Sequence, residues 1–171
     1  MFESTNSTVN PLKDFISFEK GKKPDFLSDD GFLYLTIDTL EGSNTIFTKS
    51  KKVVLCDESD VLMVMDGASS GKVYIGHKGV VGSTLSLIKS NVINKYFLYI
   101  FLKNNYNNIK DRNTGSAIPH TNKEFVLSLN IPSNKIDSTV YNDLIKYRTY
   151  ITKNINKLQK IKSIYLNKFF K

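Results

Sequence analysis

Residues 66–72 read Asp-Gly-Ala-Ser-Ser-Gly-Lys, so two glycines and a lysine lie close together between two apolar runs. Backbone N–H groups and a lysine in such a loop can cradle a phosphate. The interval from Gly67 to Gly71 is one residue too short for that motif, however, and Val73 occupies the position at which a serine or threonine would bind magnesium. The segment therefore predicts a glycine-rich connection between strands, with Lys72 available for a nucleic-acid backbone.

Groups that could perform catalysis or bind a metal do not converge in this sequence. His77 and His120 are far apart, and neither has a cysteine or an acid at metal-ligand spacing. No Asp or Glu is followed two residues later by lysine, as it is in the common nuclease arrangement around a divalent metal. We therefore expect a non-catalytic chain that uses no cofactor and no metal.

Residues 112–123 form the most loop-like segment of the chain and are rich in hydrogen-bond donors. Such donors suit phosphate oxygens and the edges of bases. The residues expected to contact a DNA groove are Ser116, His120, Thr121 and Asn122. The alternative for each of them is a solvated loop residue or a turn cap.

Basic residues in the predicted turns are the candidates for phosphate contact. They are Lys22, Lys23, Lys49, Lys51, Lys52, Lys72, Lys78, Arg112 and Lys123. The formal net charge of +8 and the isoelectric point near 9.4 favour a polyanionic partner. Basic composition is also found in proteins that bind no nucleic acid, and the turn with Lys22 and Lys23 can simply lie in solvent.

The elements that must position these loops are mostly short strands. Apolar runs and alternation predict strands at residues 32–40, 45–48, 51–56, 61–65, 73–75, 83–88 and 125–131. Helical periodicity appears at residues 92–109, where apolar side chains can share one buried face. Order is expected to begin near Pro11, after a flexible lead.

Residues 136–171 predict one long helix, because apolar side chains recur every seven residues without an intervening proline or glycine. The apolar stripe contains Leu144, Tyr147, Ile151, Ile155, Leu158, Ile161 and Tyr165, and the other faces are strongly basic. A rise of about 1.5 Å per residue gives a length on the order of 50 Å, more than one compact domain needs. We expect part of the stripe to pair with another chain, in a short antiparallel arrangement; the alternative is packing on its own domain.

Length and composition favour a globular domain at residues 1–135 and the helix at residues 136–171. The expected fold class is α+β, with a mostly-β domain followed by one long coiled-coil-forming helix. Cys56 is the single cysteine and lies in an apolar context, so we expect a buried residue and a reducing, cytoplasmic environment. We expect neither a signal peptide nor a membrane span.

Several short motifs follow one another in a defined order. They are Leu12-x-Asp14, Gly21-Lys22-x-Pro24, Tyr34-Leu35 to Leu40, Asp60-Val61-Leu62, residues 66–73, residues 114–123, Leu129-Asn130-Ile131-Pro132 and the helix end Leu166-Asn167-Lys168-Phe169-Phe170. Together they resemble the target recognition domain of type I restriction-modification specificity (S) subunits. Each motif is weak alone, but their order and spacing make the resemblance fairly specific, and it spans nearly the whole chain.

The resemblance implies sequence-specific recognition of double-stranded DNA, with the chemistry performed by methyltransferase (M) subunits and with a restriction (R) subunit in the full complex. A full S subunit carries two recognition domains, each followed by a long helix, and the helices pair antiparallel as a ruler between half-sites. This chain carries one such unit. We therefore expect a half-subunit that forms a homodimer through the apolar stripe and reads a bipartite, inverted site.

The chain departs from the family where members often have a second proline and a Glu-Gln pair, because Pro132 is followed here by Ser133 and Asn134. The resemblance also transfers no base contacts, since the DNA-reading surface differs most between members. Two alternatives stay open: a protein-interaction module whose basic helix docks on an acidic partner without reading DNA, and a fragment that forms the second half of a longer S subunit.

Overall fold

The structure, a computed structural model, describes residues 9–132 and 140–169. The chain divides into two units, Met1–Ser138 and Thr139–Lys171. Among the described residues, the first unit holds ten strands, four α-helices and one short 3-10 helix, and the second is a single helix. The predicted combination of sheets with a C-terminal helix is confirmed.

Short strands form the framework of the first unit. They are β1 (Val9–Pro11), β2 (Ser17–Lys20), β3 (Phe32–Leu35), β4 (Phe47–Thr48), β5 (Leu55–Cys56), β6 (Val61–Val64), β7 (Val73–Tyr74), β8 (Gly79–Val81), β9 (Leu85–Lys89) and β10 (Asn130–Pro132). One sheet has the order β2-β9-β6-β7, another has the order β4-β3-β8-β5, and β1 pairs with β10. Only β3 and β8 run parallel among these pairs.

The core lies between the two four-stranded sheets. Its buried cluster consists of Leu35, Leu40, Val54, Cys56, Leu62, Val64, Val81, Leu85 and Leu87. Alternate residues of β6 point to opposite faces, so Val61 and Met63 face away from this cluster, towards the side on which α2 (Lys95–Asn104) packs. Burial raises the pKa of the Cys56 thiol to about 11, which keeps the sulfur protonated near neutral pH.

The helical segment predicted at residues 92–109 is two helices, α2 and α3 (Tyr106–Asp111). Asn94 Oδ1 accepts hydrogen bonds from the N–H groups of Tyr96 at 3.0 Å and Phe97 at 3.2 Å, which caps the first helix. The second helix begins directly after Asn105. Of the predicted apolar face, Ile93, Phe97 and Leu102 are buried, whereas Tyr96, Ile100 and Phe101 are half-buried. Leu98 and Ile109 are buried as well.

Two predicted strands are partly wrong, and a side-chain cap explains each. The strand predicted at residues 32–40 ends at Leu35, because Thr36 Oγ1 accepts a hydrogen bond from Thr39 N–H at 3.2 Å and starts α1 (Ile37–Leu40). The strand predicted at residues 125–131 is replaced by α4 (Lys123–Ser128), which Asn122 caps, and only β10 remains extended. Local capping outweighs strand propensity at both places.

The strands predicted at residues 45–48 and 51–56 are shorter than expected and do not pair with each other. β4 pairs with β3, and β5 pairs with β8. Both therefore lie in the same sheet but are separated by two other strands. Pairing of neighbours in sequence is common, but these two segments are exceptions to it.

The two sheets meet where residues 20–22 cross residues 81–85. The N–H of Gly21 donates to Leu85 O at 2.9 Å. A Cβ atom on Gly21 would lie 2.2 Å from Gly82 O and 2.5 Å from Val81 O. Only glycine permits this approach, which brings the end of β2 beside the connection between β8 and β9.

The second unit is α5 (Val140–Phe169), which lies within the predicted helix; residues 136–139 and 170–171 are outside the described residues. Leu144 lies in this helix. The other stripe residues are exposed, from 41% at Ile161 to 68% at Tyr147, and they include Ile151, Ile155, Leu158 and Tyr165. None of the described helices has the length and apolar composition that spanning a membrane requires.

We expect Gly21→Ala to lower the free energy of unfolding by roughly 1–3 kcal/mol, because the added Cβ forces two backbones apart. Urea unfolding followed by circular dichroism measures this change. The adjacent Lys22→Ala, which removes an exposed side chain, is the control and should stay within about 0.5 kcal/mol of the parent. Equal midpoints for the two variants would show that the backbone crossing is not tight.

Candidate nucleic-acid interface

The glycine-rich connection at residues 66–72 and the donor-rich loop at residues 112–123 are in direct contact. The N–H of Gly67 donates to Pro119 O at 2.9 Å. The hydroxyl of Ser70, which is fully buried, lies 2.8 Å from the same carbonyl and 2.6 Å from Gly67 O. The two segments therefore form one surface, at the end of the sheet where β6 ends and β7 begins.

A closed turn projects from this surface. Thr114 and His120 exchange two backbone hydrogen bonds, of 2.9 and 2.7 Å. Gly115 has φ +88°, and a Cβ atom there would lie 2.4 Å from Ile118 O, so the turn requires glycine. Ser116 and Ile118 are exposed at its tip.

The carboxylate of Asp66 holds two basic groups at the base of the turn. Its Oδ1 lies 2.8 Å from His120 Nδ1, and its Oδ2 lies 3.3 Å from Lys20 Nζ. Partial burial raises the pKa of Asp66, but the hydrogen bonds from His120 and Lys20 outweigh that effect and hold the pKa below its ordinary value. Asp66 is therefore ionised at neutral pH and acts as an acceptor for both partners.

Two further cations at this end lie over aromatic rings. Lys123 Nζ is 5.8 Å from the centre of the Phe18 ring, and the Arg112 guanidinium is 5.6 Å from the centre of the Phe125 ring. Phe18 and Lys20 are two residues apart on β2 and share one face of the strand. The rings thus place Lys123 on the same face as the Asp66 cluster.

Lys72 also belongs to this end, where it is paired with an acid. Its Nζ lies 2.9 Å from Glu41 Oε1, and the Tyr74 hydroxyl donates to the same oxygen at 2.9 Å. The hydrogen bonds from Lys72 and Tyr74 hold the pKa of Glu41 below its ordinary value. Burial and the Glu41 carboxylate raise the pKa of Tyr74 above its ordinary range, so the phenol stays a donor.

Lys49 and Lys78 lie at the opposite end of the domain. Lys49 follows Thr48, the partner of Phe32 at the start of β3, and Lys78 precedes β8. Their exposed side chains pair with Asp30 and Asp57, respectively. The structure therefore does not bring the predicted cations together in a single patch.

The remaining predicted cations are exposed. Lys22 and Lys23 follow the Gly21 crossing and so extend from the end that carries Asp66. Lys51 and Lys52 lie between β4 and β5, on the sheet that does not carry Asp66.

Two of the residues predicted to contact a groove instead hold the loop in place. Thr121 is buried, and its hydroxyl donates to Val64 O at 2.7 Å. Asn122 Oδ1 accepts from Phe125 N–H at 3.0 Å, so this side chain is the helix cap that the sequence left as an alternative. Ser116 and His120 are the exposed pair of the four.

A polar groove borders the same end of the domain. Its volume is about 420 Å³, and it is lined by Tyr34, Thr36, Ile37, Asp38, Ala68, Ser69, Ser83 and Thr84. Several of these residues offer hydroxyl groups, which can donate to phosphate or base edges. The groove extends the candidate interface from the 66–72 connection to the other sheet.

Sequence reasoning missed Lys20 and Asp66 as members of this site. Lys20 directly precedes the basic turn with Lys22 and Lys23, and the sequence indicates no partner for it; Asp66 is only the first residue of the glycine-rich connection. The alternation of Phe18 and Lys20 along a strand is the signal that indicates a shared face. No comparable signal connects Lys20 with Asp66.

Asp66 and His120 form the Asp-His part of a Ser-His-Asp arrangement. Residues 67–71 also match the G-x-S-x-G pattern of serine hydrolases. The segment joins two strands, however, instead of a strand and a helix. Within residues 9–132 and 140–169, no serine hydroxyl lies in hydrogen-bond range of His120, and no group of three His, Cys, Asp or Glu side chains could hold a metal.

Two solved structures of S subunits share this fold. The chain superposes on the crystal structure of the type I restriction-modification system S subunit from M. genitalium with a TM-score of 0.66 and 16% identity, covering 94% of this chain and 44% of that one. For the HsdS subunit from Thermoanaerobacter tengcongensis, the values are 0.58, 13%, 90% and 39%. The fold of this chain is therefore the fold of part of an S subunit.

Sequence comparison gives the family. The family model described as "Type I restriction modification DNA specificity domain" matches residues 5–163, so the chain belongs to that family. The chain is also 28% identical over 172 residues to the type I restriction enzyme MjaVIII specificity subunit of Methanocaldococcus jannaschii. That match covers 93% of this chain and 40% of the relative, so the chain spans less than half the length of this relative.

We expect Ser70→Ala to lower the free energy of unfolding by roughly 1–2 kcal/mol, because the fully buried Ser70 hydroxyl is lost as a donor to the carbonyls of Gly67 and Pro119. Hydrogen exchange should also become faster in the turn at residues 114–120. The control is Ser69→Ala, a change at the neighbouring, half-buried serine that lines the groove, which should alter neither quantity. Equal exchange rates in the two variants would show that Ser70 does not position the turn.

Proposed function

We propose that this chain recognises one half-site of a double-stranded DNA target as the specificity component of a type I restriction-modification complex, and that it performs no catalysis itself. The observation that carries the proposal is the joined surface of residues 66–72 and 112–123, in a chain that belongs to the DNA specificity domain family. The place of action would be the cytoplasm, where the DNA and the partner subunits are.

The charge distribution supports phosphate contact at this end. The cations there are Lys20, Lys22, Lys23, Lys72, Arg112 and Lys123. The ion pairs of Lys20 and Lys72 are exposed, and exposed pairs contribute only about 0–1 kcal/mol to stability. A DNA phosphate can therefore replace the carboxylate at little cost, while the fold keeps each lysine near the surface.

The exposed turn supplies the candidates for base contact. Ser116 lies at the tip, where its hydroxyl can donate or accept, and Ile118 can pack against a thymine methyl group. The backbone bonds between Thr114 and His120 limit the motion of this tip. Thr121 and Asn122 would act indirectly, by fixing where the turn leaves the domain.

We also propose that the helix pairs with a second copy of the chain. Exposed Ile151, Leu158 and Tyr165 recur every seven residues on α5, as a helix-pairing surface requires. The chain spans 40% of the relative and 44% of one solved S subunit, which leaves room in each for a second unit of this size. Two copies related by a two-fold axis would present two recognition domains to an inverted site and would dock methyltransferase subunits and, with them, a restriction subunit.

Lys20→Ala should weaken binding to all duplex sequences and reduce the slope of log affinity against log salt by about one unit, as expected when one phosphate contact is lost. Fluorescence anisotropy with a labelled duplex at several salt concentrations measures both effects. A preferred sequence that is still bound above physiological salt would separate specific recognition from docking by charge alone.

Lys89→Ala is the matched control for Lys20→Ala. Both side chains are about equally exposed, at 56% for Lys20 and 55% for Lys89, and each pairs with an acid. β2 and β9 are antiparallel, so Lys89 lies opposite Ser17, at the far end of the sheet from Lys20. If both changes weakened binding equally, the site would not be at the end we propose.

Leu158→Asp should convert the proposed dimer to monomer, because a charge in the middle of an apolar helix seam is left without a partner. Sedimentation velocity at micromolar concentration measures the change. Ser163→Asp adds the same charge outside the seven-residue repeat, on a different face of the helix, and should leave the dimer intact. A parent chain that sediments only as a monomer would contradict pairing through this helix.

A further inference from the structure

We propose that Asp66 is a positioning residue that turns the imidazole of His120 so that its Nε2 edge donates a hydrogen bond to a DNA phosphate, with one proton taken up on binding. This inference rests on the proposed function and assigns a role within the same site. It concerns the cluster of Lys20, Asp66 and His120, which connects three segments of the chain.

The ring of His120 is held on two sides. Its Nδ1 lies 2.8 Å from Asp66 Oδ1. On the other side, a Cβ atom built on Gly115 would lie 2.9 Å from His120 Cδ2, so this carbon packs close to the glycine backbone. Among the described residues, no hydrogen-bond partner contacts Nε2, and the side chain is 50% exposed. Nε2 is therefore the ring nitrogen available to a ligand.

The backbone of His120 is as constrained as its side chain. Its N–H and carbonyl both bond to Thr114, at 2.7 and 2.9 Å. The next residue, Thr121, donates its N–H to Met65 O at 2.8 Å. His120 thus sits between two anchored neighbours beside Asp66, and an isolated bridge pairs Asp66 with His120 directly. A ring held in this way can bind a ligand without first losing much conformational freedom.

The chemistry of the pair decides where the protons lie. Asp66 is a carboxylate at neutral pH and only accepts hydrogen bonds, so the hydrogen of the neutral ring lies on Nδ1. A further proton from solvent can then bind only at Nε2. The resulting imidazolium carries two N–H groups, one donated to Asp66 and the other available to a phosphate oxygen. Because an anion lies at each side, DNA binding stabilises the protonated ring.

The charged groups around the ring favour this coupling. Asp66 faces it from the glycine-rich connection, and Lys20 reaches it from β2 through the second oxygen of the same carboxylate. Residues 114–119 contain no charged side chain. Lys123, at the start of α4, lies over the Phe18 ring. The Asp66 and Lys20 charges cancel each other, so protonation of the ring gives this cluster a net positive charge.

The test measures affinity for a random-sequence duplex pool between about pH 6 and about pH 8, the range in which histidine titrates. Phosphate contact is independent of sequence, so no target needs to be known. Affinity of the parent chain should fall as pH rises, by up to about tenfold per pH unit for one linked proton. His120→Gln should bind with a flatter profile, and Asp66→Asn should lose most of the same pH-dependent part while remaining folded by circular dichroism.

His77→Gln is the matched control, since His77 and His120 are the two histidines of the sequence. It should keep the parent profile. The inference is overturned if His120→Gln retains the full pH dependence, if His77→Gln removes it, or if Asp66→Asn leaves it unchanged. A pH effect seen only with a selected target would mean a base contact and would contradict the phosphate assignment. Duplex binding that is strong but independent of pH would contradict this inference alone, whereas no duplex binding at any pH would contradict the proposed function as well.

Discussion

The carbonyl oxygen of Pro119 lies within hydrogen-bond range of both the Gly67 N–H and the Ser70 hydroxyl, and this contact joins segments 49 residues apart. Together with the bonds from Thr121 to Val64 O and Met65 O, this contact fixes the turn at residues 114–120 relative to the sheets. Because Ser70 is fully buried, its hydroxyl must find an acceptor inside the domain. A surface made of loops thereby obtains the defined geometry that recognition of a ligand requires.

Carboxylates accompany the cations throughout the domain. Lys20 pairs with Asp66, Lys72 pairs with Glu41, and the two lysines at the far end pair with Asp30 and Asp57. Such exposed pairs add little to folding stability, but they limit where each ammonium group lies. The net charge of +8 can attract a polyanion from a distance, whereas the pairs and the aromatic rings decide which cations are arranged for contact.

The helix shows how much an amphipathic pattern can and cannot specify. The seven-residue recurrence of Ile151, Leu158 and Tyr165 predicts a continuous helix, which α5 confirms. The same pattern does not identify the surface that packs against the apolar stripe of α5. Family membership and the size of the relatives favour a second unit of the same kind, and this is why we propose pairing between copies.

The amino-acid sequence by itself determined the features whose signal is local. The buried strand at Val61–Val64 and the helix at Val140–Phe169 follow from periods that a short window contains. The family follows from the order of short motifs along nearly the whole chain. The prediction of strands is wrong at Ile37–Leu40 and Lys123–Ser128. At each place one Thr or Asn side chain accepts a hydrogen bond from a backbone N–H and starts a helix in a strand-like composition. Only the tertiary structure decided the cluster of Lys20, Asp66 and His120, whose contacts join residues 46 and 54 positions apart. These contacts depend on the order and register of β2, β9 and β6, and no periodicity along the chain reports the register between distant strands.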